Sequence, residues 1–267
     1  MPAPSHFLPF AHHLADLSGD VIRPWYRTDL ALIDKGGHYD YDPVTEGDRA
    51  GETVMRAAIT ATHPDHGILG EEHGRRAGTG PWEWVLDPID GTRAFVAGLP
   101  TWGTIIGLRE GGAPVLGVVN QPISGERWWG SDAGAFVRDH RGERPIRARR
   151  GVTLRDAVFA TTTPELFQTP AQQALLAALQ AGTRLRRYGG DCFNYVLIAM
   201  GSIDVVVERA LQPYDVVGVI PIIEAAGGVI TNWAGGPAGD GGGAVAAGSP
   251  ELHAEVMRLV RESGATE

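Results

Sequence analysis

Trp84-Val85-Leu86-Asp87-Pro88-Ile89-Asp90-Gly91-Thr92-Arg93-Ala94-Phe95 is the stretch on which the reading of this chain turns. Its apolar start, Trp84 to Leu86, reads as a buried strand that runs into two carboxylates three residues apart, then into Gly-Thr at the opening of a new element. Proline at 88 is expected to stop the strand and stiffen the turn, holding Asp87 and Asp90 close together at its exit. Two carboxylates that close repel one another unless a cation lies between them, and oxygen-only ligands suit a hard ion such as Mg2+. The Gly91-Thr92 step offers backbone N–H groups at a helix start, a ready cradle for phosphate. A metal site and a phosphate cradle in one turn point to phosphoryl transfer.

Such a site needs further acids, and the chain supplies them. Ile68-Leu69-Gly70-Glu71-Glu72 is a short apolar strand that ends in glycine and two acids. Far downstream, the β-branched run Val205 to Val207 leads into Glu208, and Asp215 stands at the mouth of an apolar stretch, Val216 to Ala226. Each acid falls where a strand or turn meets a loop, which is where open α/β architectures build their sites. Singly, any of them reads more readily as a helix cap or a solvated turn than as a ligand. Their joint placement at such junctions argues for a shared site.

On these residues the chain resembles the inositol monophosphatase family. Gly70-Glu71-Glu72, Asp87-Pro88-Ile89-Asp90-Gly91-Thr92, Pro213-Tyr214-Asp215 and Glu224-Ala225-Ala226-Gly227-Gly228 are similar to its signatures, and the resemblance runs from Asp42-Pro43-Val44-Thr45 to the last helix. Within the family, Arg93 to Gly98, Gln121-Pro122 with Glu126-Arg127-Trp128, and Tyr188-Gly189-Gly190-Asp191-Cys192 most resemble the bacterial and plant histidinol-phosphate phosphatases. The resemblance implies a layered αβαβα sandwich of the inositol monophosphatase and fructose-1,6-bisphosphatase type. It also implies one unit over residues 1–267, with an α+β half to about 150 and an α/β half from about 151.

Composition agrees. A chain of 267 residues buries a sizeable core, and 43% hydrophobic with 21% charged residues is ordinary for a globular protein. No apolar run is long enough to span a bilayer, and Met1 to His6 lacks a basic region followed by an apolar one, so no membrane association is expected. The single cysteine, Cys192, excludes an internal disulfide and fits a reducing cytoplasm. A formal net charge of −9 disfavours nucleic acid and suits a site that gathers divalent cations.

Periodicity predicts a helix over 7–22, a strand or loop at 30–33 and a second helix from Thr45 to about Thr62, opened by a capping box with Asp48 in place of Glu or Gln. Strands are expected at 66–70, 83–87, 103–109, 114–121, 126–130 and 134–138, forming an antiparallel sheet, with the basic 139–151 stretch as a hairpin edge or a boundary. Beyond it come strand 157–161, helix 164–180, strand 184–187, helix 191–200, strand 204–208 and helix 215–226. Strand 228–231, a Gly-rich loop at 235–243, strand 244–247 and helix 250–263 complete an α/β half whose strands are expected to be buried.

The resemblance also implies roles. Asp87 and Asp90, with the carbonyl of Ile89, would be shared ligands of two or three Mg2+ ions. Glu71 would complete one shell and Asp215 another, and Glu72 would support them without touching metal. Gly91 and Thr92 would bind phosphate. Thr92 with Asp48 would orient and deprotonate the attacking water, and Lys35 falls where the family has a mobile-loop lysine. Glu208 would reach the substrate's polar body. Asp191 and Asn194 would face the same space, unless Asp191 only caps its helix; Arg93 has the substrate, the phosphate or a neighbouring copy open to it. Two acids beside the leaving group suit an ammonium or imidazolium better than a neutral polyol. The expected activity is therefore Mg2+-dependent hydrolysis of L-histidinol phosphate to L-histidinol, a step of histidine biosynthesis; an inositol-1-phosphate or broad sugar-phosphate phosphatase is the alternative. A third reading, a silent binding protein on the same fold, is weakened by the intact set Glu71, Asp87, Asp90 and Asp215. The partners expected are a small phosphorylated substrate and a second copy of the chain in a homodimer. Trp102, Trp128 and Trp129 are placed either at that interface or inside a sheet.

Overall fold

The computed structural model describes residues 2–29, 33–34 and 43–267. Lys35 and the rest of the 35–42 stretch lie outside the described residues, as do residues 30–32 of the strand or loop expected at 30–33. The first helix, α1 (Leu8–Ile22), leads to a two-residue antiparallel pair, β1 (Ile33–Asp34) and β2 (Pro43–Val44). Helix α2 (Glu46–Thr62) opens with the expected capping box: the amide of Thr45 donates to Asp48 Oδ2 at 2.8 Å, and the amide of Asp48 returns to Thr45 Oγ1 at 3.4 Å.

Eight strands follow: β3 (Gly67–Gly70), β4 (Gly74–Arg76), β5 (Trp82–Asp90), β6 (Gly103–Glu110), β7 (Ala113–Gln121), β8 (Glu126–Ser131), β9 (Gly134–Asp139) and β10 (Gly142–Pro145). They form one sheet in the order β10-β9-β8-β7-β6-β5-β3-β4, antiparallel throughout except between β3 and β5. The basic 139–151 stretch thus contributes the hairpin β9–β10 at the sheet edge.

Alternation along these strands sorts their side chains into two cores. Trp84, Ile106, Leu108, Leu116, Val118 and Trp129 pack against Leu14 of α1 and Met55 and Ile59 of α2. Their neighbours Ile105, Val119, Trp128 and Val137 face the other way, against Ile198, Val219 and Ile222 of the second half. Trp128 and Trp129 therefore serve opposite faces of one sheet. Both are buried, as is Trp102, which resolves the choice left open for these tryptophans in favour of internal packing.

The second half builds a five-stranded sheet from β11 (Val158–Thr161), β12 (Leu185–Tyr188), β13 (Val205–Leu211), β14 (Val229–Thr231) and β15 (Gly242–Ala247), in the order β12-β11-β13-β15-β14. Helices α4 (Pro170–Gly182) and α8 (Pro250–Ser263) cover one face through Leu175, Leu179, Leu252 and Val256, which meet Phe159, Val205 and Val245. The other face meets α5 (Cys192–Ala199) and the pieces α6 (Pro213–Val216) and α7 (Ile220–Ala225), which fill the space between the sheets. The result is the expected αβαβα layering. No helix among the described residues is long and apolar enough to cross a membrane.

Three expectations need correction. The helix expected from 164 begins at Pro170, because Thr169 and Gln172 form a capping box with proline at the first position, and 164–166 make only a single 3-10 turn. The helix expected over 215–226 is split around residues 217–219. Pro221 brings no amide, so the preceding turn cannot run through it. Strand β12 is exposed along its whole length rather than buried, since it is the sheet's edge.

One contact sets how the α6–α7 segment lies on the large sheet. Gly107, Gly117 and Gly130 stand in register across β6, β7 and β8. A Cβ on Gly117 would come within 1.7 Å of the carbonyl oxygen of Gly218, and one on Gly130 within 2.4 Å of Cα of Ile222. The row is a trough one backbone deep, and residues 217–222 lie in it. Gly117→Ala is therefore expected to cost at least about 3 kcal/mol, because backbone meets backbone and no rotamer relieves it. Chemical denaturation should show that loss. A variant of wild-type stability would mean that the segment does not depend on the trough.

Candidate active site

In a regular strand, side chains three positions apart point to opposite faces. Asp87 and Asp90 nevertheless converge, because β5 carries a bulge against β6: Asp87 pairs with Ile105 and Asp90 with Gly103, so three steps on one strand oppose two on the other. Proline at 88 therefore does not end the strand, as the sequence reading expected. It sits inside the bulge, where a missing amide loses nothing, and its carbonyl accepts from Thr104 Oγ1 at 2.8 Å. Asp215 reaches the same point from α6, where the amide of Gln212 donates to its Oδ2 at 2.7 Å. Carboxylate oxygens of Asp87, Asp90 and Asp215 all lie within 4.8 Å of one another.

The turn after Asp90 is held from a distance. Gly91 adopts φ +84°, a left-handed conformation that glycine takes without strain, and caps α3 (Thr92–Val96). A Cβ there would also stand 3.0 Å from Asp191 Oδ2. The amide of Cys192, at the start of α5, donates to Asp90 Oδ2 at 2.6 Å. Asp90 thus satisfies the first turn of a helix from the other half of the molecule. Asp191 makes no side-chain capping bond of its own; its backbone sits at φ 44°, ψ −126°, and its carboxylate lies on the wall of the cavity. The capping role left open for Asp191 is absent, and a strained residue faces a cleft. The Thr92 hydroxyl donates to the carbonyl of Ile89 at 3.0 Å. Asp48 takes its donors from Thr45, and its Oδ1 is buried with no partner among the described residues.

Glu71 enters the cavity from the end of β3 because of a residue that no motif singles out. Glu52 of α2 is fully buried and accepts from the amides of Glu72 (2.6 Å) and His73 (3.2 Å) and from Arg56. It occupies the space beside Gly70, where a Cβ would come within 2.1 Å of its Oε1. Glycine at 70 admits the carboxylate that fixes the turn bearing Glu71.

The far wall comes from the second half. A bulge in β13 against β15, with Glu208 opposite Ala244 and Leu211 opposite Gly242, lets four consecutive residues, 208 to 211, line the cavity. Glu208 accepts from the amide and hydroxyl of Thr162 (2.8 and 2.7 Å) and from the Tyr195 hydroxyl (3.0 Å). Arg93 and Asp191 share this wall, whereas Asn194 is buried beside Glu208 and does not line the cavity. Thr162, Tyr195, Leu166 and Arg209 also line it and were not anticipated: no motif marks them, and the cavity, of about 340 Å³, is what unites them.

The electrostatics are those of acids crowded out of water. Burial pushes Asp87, Asp90 and Asp215 well above the usual carboxylate range, and each is pushed further by its neighbours, Glu71 and Asp90 around Asp87, Asp215 around Asp90. Burial likewise raises Asp48 to about 7, with Glu71 and Glu72 adding to the shift. Asp191 and Glu208 are raised for the same first reason, with Arg93 opposing the shift at Asp191. Asp87 keeps one oxygen buried and without a hydrogen-bond donor among the described residues. Three converging carboxylates, one oxygen orphaned and all destabilised as anions, fit a hard divalent cation, which would reverse each of these shifts.

Residues 3–265 match the inositol monophosphatase family. Among curated proteins, the chain is 40% identical over 231 residues to "Bifunctional phosphatase IMPL2, chloroplastic" of Arabidopsis thaliana, covering 86% of this chain and 65% of that one, so the match spans less than two thirds of that relative's length. It is 36% identical over 263 residues to a histidinol-phosphatase of Streptomyces coelicolor, covering 96% of this chain and 97% of the relative. Among solved structures, an inositol monophosphatase from Zymomonas mobilis superposes with a TM-score of 0.85 at 38% identity, over 98% of this chain and all (100%) of the other.

Glu52→Ala tests how the acid turn is held. It removes the acceptor shared by the amides of Glu72 and His73 and by Arg56, at a cost of about 1–3 kcal/mol in stability, and lets Glu71 drift. Activity should fall further than the folded fraction does, measured by denaturation and phosphate release on the same samples. Full activity in a destabilised variant would show that Glu52 serves the fold alone.

Proposed function

The chain belongs to the inositol monophosphatase family and is a metal-dependent phosphatase of small phosphorylated substrates, and from that premise we propose that it hydrolyses L-histidinol phosphate with Mg2+. The observation that carries the substrate reading is the pair of carboxylates, Asp191 and Glu208, on the cavity wall beyond the Gly91-Thr92 turn. An ester whose phosphate lies at that turn would direct its alcohol toward them. Two acids favour an ammonium there, since a charge-assisted hydrogen bond is about twice as strong as a neutral one. The name of the Streptomyces coelicolor relative supports the same substrate.

In this proposal Asp87, Asp90, Asp215, Glu71 and the carbonyl of Ile89 hold the ions. When bound, Mg2+ supplies Lewis acidity, offsetting phosphate charge and lowering the pKa of a nearby water. The chain's own groups do the rest. The amides of Gly91 and Thr92, at the positive end of a helical turn, hold phosphate oxygens. The Thr92 hydroxyl orients the attacking water and Asp48, held in place by Thr45 and with one oxygen left without a partner among the described residues, takes its proton. Burial of the acids excludes competing water. Glu208 is held rigid by Thr162 and Tyr195, with Asn194 beside it as a positioning residue, so the ammonium meets a preformed acceptor. Arg93 works against the rise that burial, Asp90 and Glu208 give Asp191, and so favours its anionic form. A homodimer in the cytoplasm belongs to the same reading. The second reading, an inositol-1-phosphate or broad sugar-phosphate phosphatase, is favoured by the 38% identity to the Zymomonas mobilis inositol monophosphatase.

Asp90→Asn is expected to lower the rate by several orders of magnitude with little loss of stability, because the amide oxygen still accepts from Cys192 while a ligand charge is gone. Near-normal turnover in that variant would refute the site. Chelation should abolish activity and Mg2+ restore it. For the substrate, kcat/KM measured side by side should favour histidinol phosphate over inositol-1-phosphate; a clear preference for the inositol ester would select the second reading.

A further inference from the structure

Arg209 has no part in the phosphate chemistry, yet its side chain lines the cavity beside Glu208. A regular strand would turn one of these two neighbours away. The bulge between Glu208 and Leu211, with Ala210 forced to φ 61°, is what presents both. A left-handed alanine costs of order 1 kcal/mol, so the fold pays for this presentation. One arm of the guanidinium is fixed: Nη1 donates to the carbonyl of Leu166 at 2.9 Å. Its Nε is buried and has no partner among the described residues. Guanidinium carries five donors and no acceptor, so what it can recognise is an acceptor.

The surroundings narrow the class. Leu166, Leu211 and Tyr214 line the cavity with Arg209 and give that stretch of wall an apolar and aromatic character. Asp191 and Glu208 oppose a second anionic group on the leaving alcohol. A flat ring with an unprotonated nitrogen satisfies both conditions, since its faces lie on apolar surface while its nitrogen, edge-on, accepts a hydrogen bond in the guanidinium plane. We infer that Arg209, with Leu166, Leu211 and Tyr214, seats a neutral heteroaromatic ring of the leaving group, while Asp191 and Glu208 take its ammonium. Arg209 is then the residue that sets specificity for ring-bearing amino-alcohol phosphates. This rests on the substrate reading above and divides the work between its two polar ends.

The test compares histidinol phosphate with phosphoethanolamine, which keeps the phosphate and the ammonium and lacks the ring. The ratio of their kcat/KM values in the Mg2+-loaded enzyme isolates the ring. In Arg209→Met the ratio should fall by about tenfold or more, the loss of one hydrogen bond to a charged group, and the change should lie in KM for histidinol phosphate rather than in kcat. Arg209→Lys, which keeps the charge without the plane, should recover only part of it. A ratio unchanged in both variants overturns the inference, whether both esters decline together or neither does, because Arg209 would then act through its tie to Leu166. A wild-type preference for an ester with a carboxylate on the alcohol, lost in Arg209→Met, overturns it too. If the wild type rejects histidinol phosphate outright, the substrate reading itself fails, and that outcome is visible before any variant is made.

Discussion

The closeness of two backbones governs this molecule. Residues 217–222 lie in a trough made by glycines on three adjacent strands, with main chain against main chain at Gly117 and Gly218. Because α6 is continuous with that segment, its depth fixes where Asp215 stands relative to Asp87 and Asp90. A single methyl group in the trough would lift the segment, and no flexible side chain is available to absorb the shift. The acid cluster is a consequence of how closely the middle layer sits on the large sheet.

That closeness has an electrostatic cost. Asp87, Asp90 and Asp215 are driven toward their neutral forms by burial and by one another, and hydrophobic packing elsewhere must offset this. Distortion accompanies it. Both sheets break their regular ladder where they meet the cavity, β5 between Asp87 and Asp90 and β13 between Glu208 and Leu211. Among the described residues, two of the three non-glycine positions with positive φ, Asp191 and Ala210, line the cavity as well. Irregularity concentrated where functional groups converge is what a fold shows when side-chain aim takes precedence over backbone regularity.

Much of this was legible in the sequence. The acids stand next to punctuation: Gly70 before Glu71, Pro88 between Asp87 and Asp90, Gly91 after them, Pro213 before Asp215. Local chemistry of that kind survives without tertiary information. Strand alternation gave the antiparallel sheet for the same reason. What stayed hidden depends on distant partners. Nothing near Glu52 says that its carboxylate will hold a turn twenty residues on, and the row Gly107, Gly117, Gly130 means nothing until the strands are in register. Pro88 was misread as a strand end because a bulge, invisible in one strand, makes room for it. The long helix expected over 215–226 failed on Pro221, a signal that was present and outweighed by the apolar run.

The cavity also divides its labour between the halves. The phosphate turn and three of the acids that line the cavity, Glu71, Asp87 and Asp90, come from neighbouring strands of one sheet, and the wall beyond them comes from β13 and the start of α5. Covalent proximity keeps the first group together; the second is joined to it by the Cys192 amide on Asp90 and by the α6–α7 segment in its trough. Changes on the far wall at Arg209 or Leu211 alter what the alcohol meets without touching either tie. A change at Cys192 or Gly218 alters the register between the halves, and so the acids themselves. The arrangement separates substrate choice from phosphate chemistry, with the helix start at Cys192 as the point where the two remain coupled.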